Sequence, residues 1–309
     1  MQRSCEQFKN CDLLDKSNEN SDSIIRLAYI IAFAFSFYNT TIDRIRKPFT
    51  PLLGETYEFI DSNRGFTFYA EQVTDSCFAS HCIGKNFTFW NETKIKMVFW
   101  GKNIEFTPIG SCHIELKNHN DHFVYIRPII SVENLLTNSP FIDNFGEMTF
   151  KNLTTQENAR LILQKRGFNN KNAYQADGSI YDKNGNAIYN IKGQWDHSLS
   201  IINIKNDEEM VLWTHEEDNR ANNPYFFNDF TKELNKLHQE NVLTLPLTDS
   251  RFRSDQKAME YGLIDLAIEE HQKIFELERK KKEEKEKFEA KMFERMEING
   301  EICFLLRKR

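Results

Sequence analysis

The segment Lys47-Pro48-Phe49-Thr50-Pro51-Leu52-Leu53-Gly54-Glu55-Thr56-Tyr57-Glu58 leads into the alternating run Gly65-Phe66-Thr67-Phe68-Tyr69-Ala70 and then into Glu71-Gln72-Val73. Two prolines and a glycine keep the first part of this stretch out of a helix. Aromatic, Thr and Val residues with a period near two are typical of a strand. This charged segment, restrained by prolines, leads into a sheet. It is compatible with the rim of a ligand site and equally with an ordinary loop before a strand.

Strand signals continue from residue 56 to about residue 215. Alternating segments cover residues 87–90, 94–100, 112–116 and 122–126. The stretch Lys183-Asn184-Gly185-Asn186 stands between two further alternating runs, and Asn-Gly in that position is a strong hairpin signal. Many strands at short spacing, with no helical pattern between them, predict a large antiparallel sheet or barrel.

Helical patterns lie on both sides of the strand region. The apolar run 24–38 is shorter than the roughly 20 residues that span a bilayer and contains Arg26, so it predicts a buried helix, with Asp22 or Ser23 as its N-cap. A long, highly charged helix is predicted at 255–290. We therefore expect an α+β fold: a large, mostly antiparallel, incomplete β-barrel with an N-terminal helical segment and a long C-terminal helix.

Composition excludes several classes of function. A net charge of −6 over 309 residues argues against a general nucleic-acid binder. The six cysteines include no CxxC pair and predict a reducing, cytosolic compartment rather than a disulfide framework. Common catalytic motifs are missing, so no enzyme is predicted. The irregular spacing of Cys77, His81, Cys82, Cys112 and His113 gives no expected metal site, and no cofactor is expected.

The run at residues 47–58 resembles the signature KPFNPLLGETYE of the oxysterol-binding-protein family. The segments Phe99-Trp100-Gly101-Lys102, Lys192-Gly193-Gln194-Trp195 and Pro246-Leu247-Thr248-Asp249-Ser250-Arg251-Phe252-Arg253 are similar to further motifs of that family. The resemblance runs from about residue 13 to about residue 290. It implies a single lipid-binding domain over 1–309 without the family's N-terminal lid, in which 278–309 form a charged helix end and tail.

The resemblance also implies a head-group site and shows where this chain departs from it. Glu71-Gln72-Val73 is similar to the start of the family's EQVSHHPP, but Asp75 and Ser76 stand in place of the histidine pair. The family's phosphatidylinositol 4-phosphate site further implies Lys47 and Arg279 as retained cations, Thr50 and His271 as substituted head-group candidates, and Phe275 as a degenerate position. A carboxylate at position 75 opposes phosphate, so phosphoinositide exchange is expected to be weakened or lost.

The leading hypothesis is a protein that binds a lipid, with a sterol as one candidate, and transfers it between cytosolic membrane leaflets. The alternative is an interaction module that keeps the fold without a ligand. An open apolar tunnel would favour the carrier, and a tunnel filled by Phe side chains the module. The cluster Arg44, Arg46 and Lys47 predicts transient contact of a cytoplasmic protein with the anionic surface of organelle membranes. Pairing of Arg44 and Arg46 with nearby carboxylates such as Asp43 and Glu55 is the alternative.

Overall fold

The computed structural model describes residues 1–45, 49–137, 139–223, 225–238, 242–283, 288–298 and 301–307. The described α-helices are α1 (Gln2–Cys5), α2 (Asp12–Glu19), α3 (Ser23–Ser36), α4 (Asp229–Leu234), α5 (Ser254–Glu260) and α6 (Ile264–Glu283). The first seven strands are β1 (Thr56–Asp61), β2 (Phe66–Thr74), β3 (Cys77–Gly84), β4 (Phe87–Phe99), β5 (Ile104–Ile109), β6 (Cys112–Leu116) and β7 (Asp121–Tyr125). The others are β8 (Ile129–Glu133), β9 (Phe141–Asn152), β10 (Asn158–Leu163), β11 (Gln175–Tyr181), β12 (Ala187–Gln194), β13 (Ser198–Asn203), β14 (Glu209–Thr214), β15 (Phe293–Ile298) and β16 (Glu301–Leu306).

One 14-stranded sheet dominates the described part of the chain. Its order is β1-β2-β3-β4-β5-β8-β9-β10-β11-β12-β13-β14, and β6 and β7 bridge between the first half of β4 and the second half of β9. The pairs are antiparallel, and the predicted hairpin at Asn184-Gly185 joins β11 to β12. The edge strands β1 and β14 are not paired with each other. The prediction of a large, incomplete antiparallel barrel is confirmed.

Helix α3 lies in the core against the inner face of this sheet. Asp22 caps it by accepting a hydrogen bond from the Ile24 N–H (2.8 Å), as predicted. Arg26 does not interrupt the apolar helix, because its Nε donates to Asp121 of β7 (2.7 Å). The segment Ser23–Thr41 is long and apolar enough to cross a membrane, but 78% of its most apolar stretch is buried inside the protein. This is the placement of the buried helix that we predicted.

Aromatic rings fill the space between the N-terminal segment and the sheet. Phe8 is fully buried and its ring lies 5.3–6.3 Å from five other Phe rings. Those rings belong to one residue of α3 and to inward positions of β2 and β4: Phe33, Phe66, Phe68, Phe87 and Phe89. The alternation seen in the sequence therefore lines a solid core in this half of the barrel.

The C-terminal region differs from the single helix predicted at 255–290. Helix α5 ends at Glu260, Gly262 has a positive φ of 74°, and α6 runs from Ile264 to Glu283. Strands β15 and β16 then form an antiparallel hairpin where a charged helix end and tail were expected. Asn299-Gly300 stands between these two strands in the sequence, so a hairpin signal was present and overlooked.

Candidate functional site

The signature segment and the C-terminal helix meet in the structure. Arg253 connects them: its Nη1 donates to the Thr50 carbonyl (2.7 Å) and to Glu55 (2.9 Å), and its Nη2 donates to Asp255 (2.7 Å). His271 Nδ1 lies 2.7 Å from the same Asp255 carboxylate. Although burial opposes it, hydrogen bonds from Arg253 and His271 lower the pKa of Asp255. Thr50 is exposed, and Arg46 and Lys47 lie outside the described residues.

The three positions spaced by four on α6 share one helix face. The centres of the His271 and Phe275 rings are 4.8 Å apart, and the centre of the Phe49 ring is 6.1 Å from that of His271. Arg279 is 73% exposed and lies 3.6 Å from Glu283, so its guanidinium remains accessible. The face thus offers one exposed arginine and a histidine whose Nδ1 is already engaged by Asp255.

Asp75 and Ser76, the residues in place of the family's histidine pair, form the exposed turn between β2 and β3. A register shift between Gln72 and Thr74 precedes the turn, and the Ser76 N–H donates to Thr74 Oγ1 (3.3 Å). A carboxylate and a hydroxyl therefore project from this loop at the surface.

Arg44, proposed as a membrane contact, is committed to an internal interaction. Both of its terminal nitrogens donate to the Glu6 carboxylate (3.0 and 3.1 Å), and its guanidinium lies 4.3 Å from the centre of the Phe227 ring. Its side chain is only 11% exposed. For Arg44 the alternative prediction, pairing with a carboxylate, therefore holds. The partner is Glu6, however, and not Asp43 or Glu55.

A row of apolar side chains continues the inner face of β4 beyond the filled half of the barrel. Asn144 marks the inner face because its Nδ2 donates to Thr41 Oγ1 (2.8 Å). Directly opposed residues of neighbouring strands share a face, and the register runs from Asn144 to Ile130, then to Phe106, and then to Met97. Met97 therefore points to the same side as the core.

We call this row the apolar trough: Ile95, Met97 and Phe99 of β4 with their partners Pro108, Phe106 and Ile104 of β5. The β4 members are 54%, 64% and 64% exposed, although their alternation with charged residues is typical of a buried face. More than half of each of these three side chains is therefore accessible. A contiguous row of exposed apolar side chains is typical of a binding surface.

Polar groups close the inner end of the trough. A cavity of about 30 Å³ lies there, lined by Asn91, Tyr38, Tyr125 and Arg127 together with Ser4, Gln7, Ala34 and Phe37. Asn91 Nδ2 donates to Thr93 Oγ1 (2.7 Å), and Arg127 Nη2 donates to the same oxygen (2.5 Å). Arg127 is not among the site residues predicted from the sequence. In the sequence it is a single cation directly after an alternating segment. That pattern does not show whether its side chain points to the inner or the outer face of the sheet.

Among the described residues, no group of three His, Cys, Asp or Glu side chains could hold a metal ion. Cys77, Cys82 and Cys112 are buried thiols, and burial raises the pKa of Cys77 to about 11. Neutral, buried thiols are poor metal ligands and poor nucleophiles. The chemistry that the site offers is apolar contact with a few hydrogen-bonding groups at each end.

Comparison with known proteins places these features in context. The family model named Oxysterol-binding protein matches residues 1–306. Oxysterol-binding protein-related protein 3 of Mus musculus is 33% identical over 287 residues, which cover 91% of this chain and 33% of the relative. The chain thus spans about a third of the length of that curated relative.

Two solved structures have the same fold. The Osh1 ORD domain in complex with cholesterol superposes with a TM-score of 0.89 and 27% identity, covering 98% of this chain and 78% of that one. The Osh3 ORD of Saccharomyces cerevisiae in complex with PI(4)P superposes with a TM-score of 0.86 and 26% identity, covering 99% and 82%.

Proposed function

Because the chain belongs to the oxysterol-binding-protein family, we propose that it binds one lipid in the apolar trough and carries it between cytosolic membrane leaflets. The observation that carries this proposal is the exposure of Ile95, Met97 and Phe99 on the inner face of the sheet, next to a polar end at Thr93 and Arg127. A lipid site needs this combination of apolar wall and a few orienting polar groups. The sterol in the related Osh1 structure makes a sterol the first candidate ligand.

In this function the helices, the sheet and the C-terminal hairpin act as one lipid-binding unit. Lipid transfer of this kind requires no catalytic step and no cofactor. The whole cycle would be extraction of the lipid from one leaflet, shielding of its apolar part against the trough, and release into another. The protein would be cytoplasmic and would touch organelle membranes only during exchange.

Lipid extraction tests the proposal, with Met97→Asp as the informative variant. A carboxylate in the trough would oppose apolar contact, so we expect extraction of dehydroergosterol from liposomes to fall at least about tenfold, since burying an unpaired charge is costly. Lys96→Asp, one residue away on the opposite face of β4, is the matched control and should extract like the wild type. Equal extraction by all three proteins would contradict the use of the trough.

The filled half of the barrel supports the second candidate, an interaction module without a ligand. Phe8 and its five neighbouring rings occupy space that a deep tunnel would need, and the cavity beside Arg127 has room for about two water molecules. If the purified chain carries no lipid detectable by mass spectrometry and extracts none, the module becomes the better description.

We further propose that membrane docking uses Arg46 and Lys47, since Arg44 is held by Glu6. Basic side chains near an anionic leaflet contribute roughly 1 kcal/mol each and are screened by salt. We expect Arg46→Glu/Lys47→Glu to reduce sedimentation with phosphatidylserine liposomes at low salt and to make little difference at high salt. Lys183→Glu/Lys205→Glu, which alters two exposed turn lysines, should behave like the wild type. Unchanged sedimentation of the first variant would refute docking through this segment.

A further inference from the structure

Arg127 is a half-buried cation with one buried donor atom that has no hydrogen-bond partner among the described residues. Its Nη2 donates to Thr93 Oγ1 at 2.5 Å, whereas its Nε is buried and has no hydrogen-bond partner among the described residues. Such orphaned donors are rare in folded proteins and are costly. The cavity of about 30 Å³ lies directly beside this side chain, so a ligand atom has room to approach it.

Among the described residues, no carboxylate forms an ion pair with Arg127. The described ion pairs do not include it, and the titratable groups that act on it are Cys112, Tyr125 and Tyr38. Burial raises the pKa values of all three of these groups, so they are neutral near pH 7. Asn91, which lines the same cavity, is neutral too. An arginine stays protonated under these conditions, so a positive charge that has no ion-pair partner in the described part of the chain stands at the inner end of the apolar trough.

The trough begins one inward position beyond the residue that Arg127 contacts. Inward positions of a strand follow each other by about 7 Å, so Thr93, Ile95, Met97 and Phe99 form one line along β4. Ile130 of β8 extends the same face beside Phe106. A molecule lying on this line would have its apolar body on exposed Ile, Met and Phe side chains and its end against the guanidinium.

We propose that Arg127 selects lipids whose apolar body ends in an anionic group, either a carboxylate or a sulfate or phosphate ester, over lipids that end in a neutral hydroxyl. The inference rests on the proposed function, because it places such a lipid in the apolar trough. An anionic end supplies both things that Arg127 lacks: an acceptor for Nε and a compensating charge. Guanidinium groups bind such oxygens in charge-assisted hydrogen bonds, which are about twice as strong as neutral ones.

Cholesterol and cholesterol sulfate form the decisive pair of probes, since they share one apolar body and differ in the charge of the head. We expect the wild type to bind cholesterol sulfate about tenfold or more tightly than cholesterol. Arg127→Gln should remove this preference and leave the affinity for cholesterol within about threefold. Arg160→Gln, which alters an exposed arginine paired with Glu147, is the control and should keep the preference.

Thermal unfolding separates a binding role from a structural one. Without ligand, Arg127→Gln should unfold at the same temperature as the wild type or higher, because it removes a half-buried charge that no described carboxylate pairs with. Cholesterol sulfate should raise the unfolding temperature of the wild type more than that of the variant. Hexadecanoate and monohexadecyl phosphate then show whether a carboxylate or a phosphate is the preferred end.

The outcomes distinguish this inference from the proposed function. If the wild type binds both sterols equally well, Arg127 is only solvated by water in the cavity and the inference is wrong, while the lipid-binding proposal stands. If neither sterol nor either single-chain probe binds, both are wrong. A variant that loses both sterols and unfolds at a lower temperature would show a structural role for Arg127 and would also overturn the inference.

Discussion

Glu71 shows how a signature residue can serve the fold instead of a ligand. It lies in β2, is fully buried, and its carboxylate accepts hydrogen bonds from the backbone N–H groups of Lys291 and Met292 (both 2.7 Å) and Phe293 (3.3 Å). Phe293 in turn packs with Val73 and Cys77, which flank the exposed turn between β2 and β3. One side chain of the signature region therefore holds the start of the C-terminal hairpin, 220 residues away in sequence.

Glu71→Gln should loosen that hairpin. The amide keeps one acceptor oxygen but loses the charge, and hydrogen bonds to charged groups contribute about 1.5–3 kcal/mol. We expect a loss of stability of this size and faster amide hydrogen exchange in residues 291–306, with β9 to β14 unaffected. Glu209→Gln, at an exposed strand position, is the control. Unchanged exchange in the hairpin would show that packing alone holds it.

At the scale of elements, four neighbouring strands bring histidines together on the outer face of the sheet. Trp90 of β4 stacks on His113 of β6, with 5.0 Å between the ring centres. His113 Nδ1 lies 3.0 Å from His122 Nε2 of β7. His81 of β3 pairs with Trp90 across the strands. Burial lowers the pKa of His81 to about 4, and burial followed by the nearby His122 lowers the pKa of His113 to about 4.

This arrangement predicts a loss of stability in acid. The folded-state pKa values of His81 and His113 lie below the unfolded value of about 6.5, so the unfolded chain binds more protons between pH 6.5 and pH 4. Stability should therefore be constant above pH 6.5 and fall as the pH drops through that window. We expect His113→Gln to reduce the difference in unfolding temperature between pH 7 and pH 5, whereas exposed His197→Gln should not. An equal drop in all three proteins would rule out the histidine row as a source.

At the scale of the whole molecule, the question is which lipid head group the positions of the family's phosphoinositide site still accept. The exposed turn carries Asp75 and Ser76, His271 is engaged by Asp255, and Phe275 is apolar. A phosphorylated head group would therefore meet a carboxylate and few free cations among the described residues. These features support the proposal that phosphoinositide exchange is weakened.

Asp75→His/Ser76→His tests that proposal as a gain of function. Removing one negative charge and adding two imidazole groups should raise the affinity for liposomes containing phosphatidylinositol 4-phosphate by about tenfold, and more at pH 6 than at pH 7.5. Asn206→His/Glu208→His, in the exposed turn before β14, also removes one negative charge and adds two imidazole groups, and it should have no such effect. If the wild type already prefers the phosphoinositide to a sterol in a competition assay, the proposal is wrong.

Local patterns in the sequence determined the elements of the fold. The alternation of aromatic and polar residues predicted the strands from 56 to about 215, and β1 to β14 run from Thr56 to Thr214. Asn184-Gly185 predicted its hairpin, and Asp22 its helix cap. These predictions succeed because period, turn chemistry and capping depend on residues within a few positions of each other. The C-terminal hairpin was missed because the charged pattern before it was extended past its end.

Only the tertiary structure decided what surrounds each side chain. Arg44 and Glu6 are 38 positions apart, and no local pattern shows that they form a pair. The sequence likewise does not show that Phe8 fills one half of the barrel, that Ile95, Met97 and Phe99 remain exposed in the other half, or that Arg127 turns inward between them. The physical reason is that burial, ion pairing and cavity shape are set by contacts between distant segments, which form only when the sheet curves around the N-terminal helices.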